Sequence, residues 1–534
     1  MRKEMKEAGE LKAREKEEKW HWADGIAKQL ATKKPKSKKD YVCAAGITPS
    51  GTVHIGNFRE VITVELVARA LRKLGKKVRF IYSWDNIDRL RKIPKNLPEK
   101  KQREFQNYIG MPLTKVPDPF DCHKNYAEHF QEEFCQQLPK VGIFPEFINQ
   151  AEMYGSCKYA KEIKFVLENK EKIKEILNKY KTEEKISEEW QPVQVYCEKC
   201  LKDTTKILFW QGYEIEYVCE CGFKNKIDFR KKGIVKLPWR IDWPMRWHFY
   251  KVDFEPGGKE HSTPGGSFTT GSEIIREIYK EQPPVYQKYD FIIIKGAGGK
   301  ISSSLGNVIT LRDCLEIYEP QILRYLFVAS RPNREFAIAF DADVIKIYAE
   351  YDKLEQDYFA GKLCEKERRI YELSQVSEKK PVLFYAPSFR ELIELVQCKT
   401  EKEIIAIKKG EGKIKNEEDE KRTAARIALV KNWLKKAPQE FKFTILEKPD
   451  KQKLKNIPNE YIAALRDLGK AIEYLTEEQQ VRTVITEIIE KHKLDIKTFF
   501  KAAYLVILGK EEGPRLSGLL ILEKEKILGL LKQI

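Results

Sequence analysis

Apolar and polar positions between residues 41 and 135 follow the pattern of strands separated by helices. The apolar run at 41–45 and the mostly apolar stretch at 78–82 predict strands, and apolar residues at helical spacing follow them at 58–74 and 125–137. Strands that alternate with helices are typical of a parallel sheet covered on both faces. We therefore expect an α/β fold with a Rossmann-type parallel sheet.

The pattern changes further along the chain. Residues 161–185 predict long Lys/Glu-rich helices, two short strands follow at 207–210 and 213–218, and nearly every segment after about 385 has a helical period. These changes predict six regions: a helical extension (1–40), half of a catalytic domain (41–140), a connective insertion with a ribbon at about 190–230 (141–234), the second half (235–320), a helical segment (321–385) and an all-α bundle (386–534).

Composition sets limits on location and partners. The net charge of +18 suits a polyanionic partner, although a lysine-rich proteome or a need for solubility would also explain it. Eleven cysteines, most of them scattered through apolar or helical stretches, fit a reducing cytoplasm better than a disulfide framework. No apolar run approaches the roughly 18 residues of a membrane span, and the charged N-terminus lacks a signal-peptide core. We expect a cytoplasmic protein without membrane contact.

Residues 48–57, Thr-Pro-Ser-Gly-Thr-Val-His-Ile-Gly-Asn, connect the first predicted strand to the helix that follows it. Such a turn points backbone N–H groups and the positive end of a helix at a ligand, most often a phosphate. Gly51 and Gly56 allow close approach of the backbone, and His54 can donate a hydrogen bond to a phosphate oxygen. A His-x-Gly turn after a strand also occurs by chance.

A second stretch carries a lysine followed by hydroxyl groups. Lys300, Ile301 and three serines follow an apolar run at 291–294 and three glycines at 296–299. A lysine on a flexible loop suits a pyrophosphate whose negative charge rises as it leaves.

Two stretches rich in tryptophan and aspartate lie beside predicted strands. Residues 83–88 include Trp84, Asp85 and Asp88, and residues 239–247 include Asp242 and three tryptophans. Parallel sheets bind ligands beyond the carboxyl ends of their strands, so these side chains are expected near a pocket. Tryptophans in the core and acids in turns explain the pattern equally well.

Four cysteines have the spacing of a metal site. Cys197 and Cys200 are followed, after eighteen residues, by Cys219 and Cys221. Four thiolates on two paired turns suit tetrahedral Zn²⁺, and they leave no position open for water or substrate. We expect a structural zinc ion, with reduced structural cysteines as the alternative.

The residues His54-Ile55-Gly56-Asn57 and Lys300-Ile301-Ser302-Ser303-Ser304 resemble the His-Ile-Gly-His and Lys-Met-Ser-Lys-Ser signatures of class I aminoacyl-tRNA synthetases. Asn57 replaces a histidine and Ser303 replaces the second lysine. From His21 to Gly518 the chain resembles the class I lysyl-tRNA synthetases, in which both replacements are ordinary. The resemblance implies that ATP activates L-lysine to lysyl-adenylate, and that the lysyl group then passes to tRNA(Lys).

The resemblance also implies roles for individual residues. Catalysis is expected from His54, Asn57, Lys300 and Ser303. ATP, accompanied by Mg²⁺, is expected to contact Thr48, Ser50, Gly51, Gly56, Glu260, His261, Ser302 and Ser304. Lysine is expected to contact Gly46, Thr48, Asp85, Asp242 and Trp243. The family usually has Asp where Glu260 stands, and an acid there would accept hydrogen bonds from ribose hydroxyls.

The same resemblance implies the work of the remaining regions. The insertion is expected to handle the tRNA acceptor end, residues 321–385 the tRNA stem and residues 386–534 the anticodon, in a monomeric enzyme. Three alternatives stay open: a synthetase for another amino acid such as glutamate, a small-molecule nucleotidyltransferase that shares the His54 turn, and a non-catalytic tRNA-binding relative. A glutamate site would offer cations to the substrate side chain, whereas a lysine site needs an acid.

Overall fold

The structure is a computed structural model that describes residues 20–33, 40–93, 97–181, 184–295 and 308–534, together with the backbone of 299–300. The helix predicted at 1–19 and the three serines at 302–304 lie outside these residues. The chain forms two compact units. The first contains Met1–Leu315, Pro320–Ile338 and Ala360–Pro381, and the second contains Glu316–Glu319, Ala339–Phe359 and Val382–Ile534.

The first unit is built on a five-stranded parallel sheet. Its strands are β1 (Asp40–Ile47), β2 (Lys77–Trp84), β3 (Glu146–Asn149), β4 (Phe254–Gly258) and β5 (Val285–Tyr289). Their order is β3-β2-β1-β4-β5, and every neighbouring pair is parallel. The order reverses direction between β1 and β4, which is where such sheets form a ligand crevice beyond the carboxyl ends of the strands. The predicted α/β fold with a parallel sheet is confirmed.

The helix Ile55–Lys73 follows β1 and starts at the His54 turn. The His54 N–H donates to Oδ1 of Asn57 at 3.1 Å, which satisfies one backbone donor that the start of a helix leaves without a partner. The helix ends before Gly75, whose φ of +73° is the left-handed conformation common just after helices. Most of its residues are buried, including the charged Arg59, Glu65 and Arg69.

The first unit contains eleven further α-helices among its described residues. Their bounds are Trp22–Lys33, Glu99–Phe105, Tyr126–Cys135, Gln150–Gly155, Ala160–Glu168, Lys170–Asn178, Trp239–Tyr250, Ser267–Glu277, Leu311–Leu315, Pro320–Ala329 and Glu365–Ser374. The stretch 239–250 was not predicted to be helical, and Pro244 lies inside it. Trp243 and Trp247 of this helix are buried, so tertiary packing offsets the hydrogen bond that a proline removes.

Between β3 and β4 the chain forms an insertion with its own small sheet. Strands Thr205–Gln211, Glu214–Cys219 and Lys224–Asp228 are antiparallel, and Gln194–Val195 pairs with Val235–Lys236 at the root of the insertion. A further sheet of three strands, which we call the Lys300 sheet, has the order Gly299–Lys300, Ile292–Lys295, Phe336–Ala339. It therefore holds the backbone of Lys300.

The second unit is helical in its described residues, as the sequence predicts for the C-terminal region. Its helices are Asp343–Phe359, Phe389–Cys398, Glu401–Gly410, Glu417–Lys436, Lys451–Leu454, Asn459–Ile472, Glu478–Lys491, Ile496–Leu508, Leu516–Leu522 and Lys524–Leu531. Across the described part of the chain, no helix combines the length and the apolar character needed to cross a membrane.

Candidate active site and metal-binding clusters

The His54 turn lies beyond the carboxyl end of β1 and is fixed by its neighbours. The hydroxyl of Tyr126, a fully buried residue, donates to the Ser50 carbonyl at 2.8 Å. A side chain at Gly56 would place its Cβ 2.8 Å from the His54 ring, so glycine here lets the imidazole lie against the first turn of the helix. Burial lowers the pKa of His54, which keeps the imidazole neutral at pH 7.

The start of the His54 helix contacts the chain that follows the Lys300 signature. The Ile55 N–H donates to the Ile309 carbonyl at 2.8 Å, and His54 forms an antiparallel bridge with Thr310. At the start of that signature, the backbone of Lys300 pairs with Ile293 in the Lys300 sheet. Ile309 thus brings the chain that follows Lys300 and its serines to the start of the His54 helix.

A carboxyl group that the sequence analysis did not single out lies next to this turn. Glu60 accepts a hydrogen bond from the Gly46 N–H at 2.9 Å and another from the Tyr289 hydroxyl at 2.7 Å. Burial raises the pKa of Glu60 to about 8. Within the described ranges it has no cationic partner, so Glu60 can receive one from a ligand.

Thr48 is held by a charge pair that reaches the insertion. Its hydroxyl donates to Asp88 at 2.7 Å, and the other oxygen of Asp88 pairs with the ammonium of Lys236. Burial would raise the pKa of Asp88, but the adjacent Lys236 holds it below its usual value. Lys236 comes from the root of the insertion, so this root and the end of β1 share one polar network.

Asp85 and Asp242 share a single buried arginine. Nη1 of Arg246 lies 2.7 Å from Oδ1 of Asp85, and its Nη2 lies 2.5 Å from Oδ2 of Asp242. The Tyr154 hydroxyl donates to the other oxygen of Asp242 at 2.6 Å. Burial raises the pKa of Asp85 to about 6, although Arg246 opposes the shift. Both acids already have Arg246 as an ion-pair partner, so one cation serves two carboxylates.

Aromatic rings form one side of the same region. Trp239 and Trp243 stack with ring centroids 5.0 Å apart, and the His261 ring lies 5.6 Å from Trp243. Glu260 and His261 follow β4 directly, and the Glu260 side chain is 58% exposed. Trp84, by contrast, is buried among Tyr82, Phe134 and Phe147 and belongs to the core.

The four cysteines of the insertion converge. The Sγ atoms of Cys197 and Cys221 are 3.7 Å apart, those of Cys200 and Cys219 are 3.5 Å apart, and all four lie within 4.8 Å of one another. Zn–S bonds of about 2.3 Å in a tetrahedron require sulfur atoms roughly 3.8 Å apart. The spacing and the chemistry of this donor set fit a structural zinc ion.

A second donor cluster lies around the start of the helix Tyr126–Cys135. Asp118, Cys122, His123 and His129 each offer one ligand atom, all within 4.8 Å of one another. The Asp118 carboxylate accepts backbone N–H bonds from Phe120, Cys122 and His123, which lower its pKa to about 2 although burial acts in the opposite direction. One carboxylate, one thiol and two imidazoles are also ligands that Zn²⁺ accepts.

The family description "tRNA synthetases class I (K)" matches residues 20–377. This chain belongs to that family. The synthetase is 46% identical over 521 residues to the lysine--tRNA ligase of Borreliella burgdorferi, which covers 96% of this chain and 97% of that protein. It is 40% identical over 515 residues to the lysine--tRNA ligase of Pyrococcus horikoshii, with coverage of 94% and 97%.

Reasoning from the sequence alone did not identify several site residues of the synthetase. Glu60 had only a weak signal, because it is one of several charged residues in the helix that follows the His54 turn. The spacing Asp-x₃-Cys-His-x₅-His from Asp118 to His129 was a signal for metal. Tyr126, Tyr289 and Lys236 had no local signal, because each acts on a residue at least 76 positions away.

Proposed function

We propose that the synthetase activates L-lysine with ATP and transfers the lysyl group to the 3′-terminal adenosine of tRNA(Lys). One observation carries the choice of lysine: Glu60 offers a carboxyl group beside the His54 turn and has no cationic partner in the described part of the chain. The ε-ammonium of lysine supplies the missing charge. The identity to the two lysine--tRNA ligases over nearly the whole chain supports the same assignment.

Adenylate formation requires alignment of the lysine carboxylate with the α-phosphate and stabilisation of the charge that develops on the phosphates. His54 and the amide NH₂ of Asn57 are the proposed donors, because the oxygen of that amide is already used by the His54 N–H. Lys300 is proposed to stabilise the departing pyrophosphate, with Ser302, Ser303 and Ser304 as hydroxyl and N–H donors. Mg²⁺ is proposed to enter with ATP.

The remaining contacts follow from position. Thr48, Ser50, Gly51 and Gly56 of the turn are proposed to surround the phosphates, and Glu260 and His261 to contact the ribose and base of ATP. Lysine is proposed to lie between Gly46, Thr48 and the Trp243 wall, with its ε-ammonium on Glu60. Asp85 and Asp242 are proposed to shape this pocket through Arg246, whose guanidinium lies over the Trp239 ring.

A glutamate substrate fits these charges poorly. Arg246 could meet a substrate carboxylate only by giving up Asp85 or Asp242, both of which it holds in buried ion pairs. Glu60 in its ionised form would also repel such a substrate. The acids therefore favour lysine over glutamate.

The clusters and the helical unit complete the proposal. We assign Zn²⁺ to Cys197, Cys200, Cys219 and Cys221, where it joins the ends of the insertion strands, and a second Zn²⁺ to the Asp118 cluster. The insertion is proposed to contact the acceptor end of tRNA. The helical bundle 386–534 is proposed to contact the anticodon.

ATP–pyrophosphate exchange with each of the twenty amino acids tests the assignment. Lysine should support exchange at least a hundredfold faster than glutamate or glutamine, since a desolvated acid discriminates strongly between cationic and anionic side chains. Exchange that depends on glutamate, or on no amino acid at all, would overturn the proposal.

A further inference from the structure

Arg59 is a buried cation whose four hydrogen bonds to the described residues run to backbone carbonyls. Nη1 donates to Asp290 at 2.7 Å and to Phe291 at 2.8 Å, and Nη2 donates to Arg331 at 3.1 Å and to Arg334 at 2.5 Å. Only 2% of the residue is exposed. A buried guanidinium is costly unless its donors are satisfied, so this arrangement holds specific pieces of backbone in place.

The four carbonyls lie just before two strands of the Lys300 sheet, at positions that we call the roots of this sheet. Asp290 and Phe291 directly precede Ile292–Lys295, and the pair Arg331 and Arg334 lies just before Phe336–Ala339. The central strand Ile292–Lys295 carries Gly299–Lys300 on its other edge, with Lys300 opposite Ile293. Two residues of strand, roughly 6.6 Å, therefore separate a carbonyl held by Arg59 from the register position of Lys300.

The helix that carries Arg59 also holds the chain beyond Lys300. Its first N–H, from Ile55, donates to the Ile309 carbonyl, and His54 bridges Thr310. One helix thus fixes the chain on both sides of Lys300 in sequence, and the same helix carries His54 at its start. Misplacing a charge-stabilising group by about 1 Å costs on the order of 10²-fold in rate.

We propose that Arg59 is a positioning residue that sets the distance between His54 and Lys300 by holding the roots of the Lys300 sheet. This inference rests on the role given to Lys300 under the proposed function. Lysine at position 59 keeps the positive charge but cannot direct a planar fork at four carbonyls. Loss of the arginine fork in Arg59→Lys should therefore lower the rate of adenylate formation and leave substrate affinity almost unchanged.

The test is a double-mutant cycle on the full-length protein. Arg59→Lys, Lys300→Ala and the double variant are compared by single-turnover adenylate formation at saturating lysine over a range of ATP concentrations. Arg59→Lys should lower the maximal rate about 10- to 100-fold, with less than a threefold change in the apparent ATP affinity. In the Lys300→Ala background the same substitution should cost less than threefold, because Arg59 acts through Lys300.

Arg324 provides a matched control. It is also a fully buried arginine of this unit, but its guanidinium bonds Val141, Leu373 and Glu65 rather than the roots of the Lys300 sheet. Arg324→Lys should lower the melting temperature, and any effect on rate should be the same with and without Lys300. Equal, additive losses for Arg59→Lys in both backgrounds would overturn the positioning role.

Hydrogen exchange keeps the inference testable if Arg59→Lys is less stable than expected. Faster exchange should be confined to peptides covering residues 290–300 and 331–339, with the strands β1 and β2 unchanged. A uniform increase across the parallel sheet would show a general structural role and overturn the inference. If Lys300→Ala alone leaves the rate unchanged, the role of Lys300 in the proposed function fails instead.

Discussion

The Tyr289 hydroxyl donates a 2.7 Å hydrogen bond to Oε2 of Glu60, and it does so across 229 positions of sequence. The bond joins the helix after β1 to the last residue of β5. The Gly46 N–H occupies the other oxygen, so the carboxyl group is fixed in orientation before any substrate arrives. A preoriented acid can select an ammonium group without reorganisation on binding.

Lysine affinity should rise with pH. With a pKa of about 8, Glu60 is mostly protonated at pH 7, and binding of the ε-ammonium must displace that proton. The ionised fraction, and with it the affinity, should grow roughly eightfold from pH 7 to 8.5 and level off above the pKa. Isothermal titration of lysine across this range measures the effect.

Two controls isolate Glu60 in that experiment. Norleucine, which has the shape of lysine without its side-chain amine, should bind weakly and without this pH dependence. Glu60→Gln should bind lysine at least tenfold more weakly, with a flat pH profile because an amide does not titrate. An eightfold pH dependence that survives Glu60→Gln would assign the titration to another group.

Lys300→Ala should slow lysyl-adenylate formation by about 10²-fold or more. The loss corresponds to about 3 kcal/mol, the scale of one strong charge-stabilising donor in a transition state. Apparent ATP affinity should change far less, and Lys300→Arg should restore only part of the rate because its fork places the charge differently. Single-turnover kinetics separates the two effects. A normal maximal rate with a large loss of ATP affinity would make Lys300 a ground-state phosphate anchor.

The purified protein should contain two zinc ions per chain by elemental analysis. Cys197→Ser combined with Cys219→Ser should remove one of them, and tRNA charging should suffer more than adenylate formation because this cluster lies on the insertion. Cys157→Ser, outside both clusters, should leave the zinc content unchanged. Protein that is folded but metal-free after purification without chelators would refute both sites.

Cys122→Ala with His129→Ala should remove the other zinc ion. These residues lie around the start of the helix Tyr126–Cys135. The Tyr126 hydroxyl donates a hydrogen bond to the Ser50 carbonyl of the His54 turn. The apparent ATP affinity should therefore fall several-fold while lysine affinity is retained. Unchanged zinc content in this variant would leave the cluster as a hydrogen-bonded structural group.

Arg426→Ala should destabilise the helical unit by about 3–5 kcal/mol, the usual cost of breaking a buried ion pair on one side. Arg426 is fully buried and pairs with Glu319 and Asp352, so its loss leaves Asp352 without its cation and Glu319 with Arg422 alone. Thermal unfolding followed by circular dichroism measures the change. Replacing Lys346, which is 76% exposed, should have almost no effect in the same assay.

The first half of the parallel sheet was predictable because β1 and β2 carry mostly apolar runs, each followed by turn residues. The runs at 41–45 and 78–82 lie within β1 and β2. The helix Trp239–Tyr250 was not predictable in the same way, because Pro244 and closely spaced aromatic residues are poor helix signals. It exists because its aromatic face is buried, which is a property of the whole fold.

The candidate site divides along similar lines. The His54 and Lys300 stretches could be found from the sequence, because both are local motifs. Asp242 looked like a substrate acid, yet Arg246 four residues later is a helix neighbour that could have been anticipated once that stretch was recognised as a helix. The role of Glu60 depends on Tyr289, and no local pattern contains that contact.

The strand order has a consequence for synthesis on the ribosome. The Val42 N–H of β1 bonds Asp253, 211 residues further along, just before β4 begins. At 5–20 residues per second, β1 and β2 emerge on the order of 10 to 40 s before β4 can cover the open edge of β1. That edge carries apolar residues that are buried in the finished sheet, so the nascent chain presents an aggregation-prone strand throughout this interval.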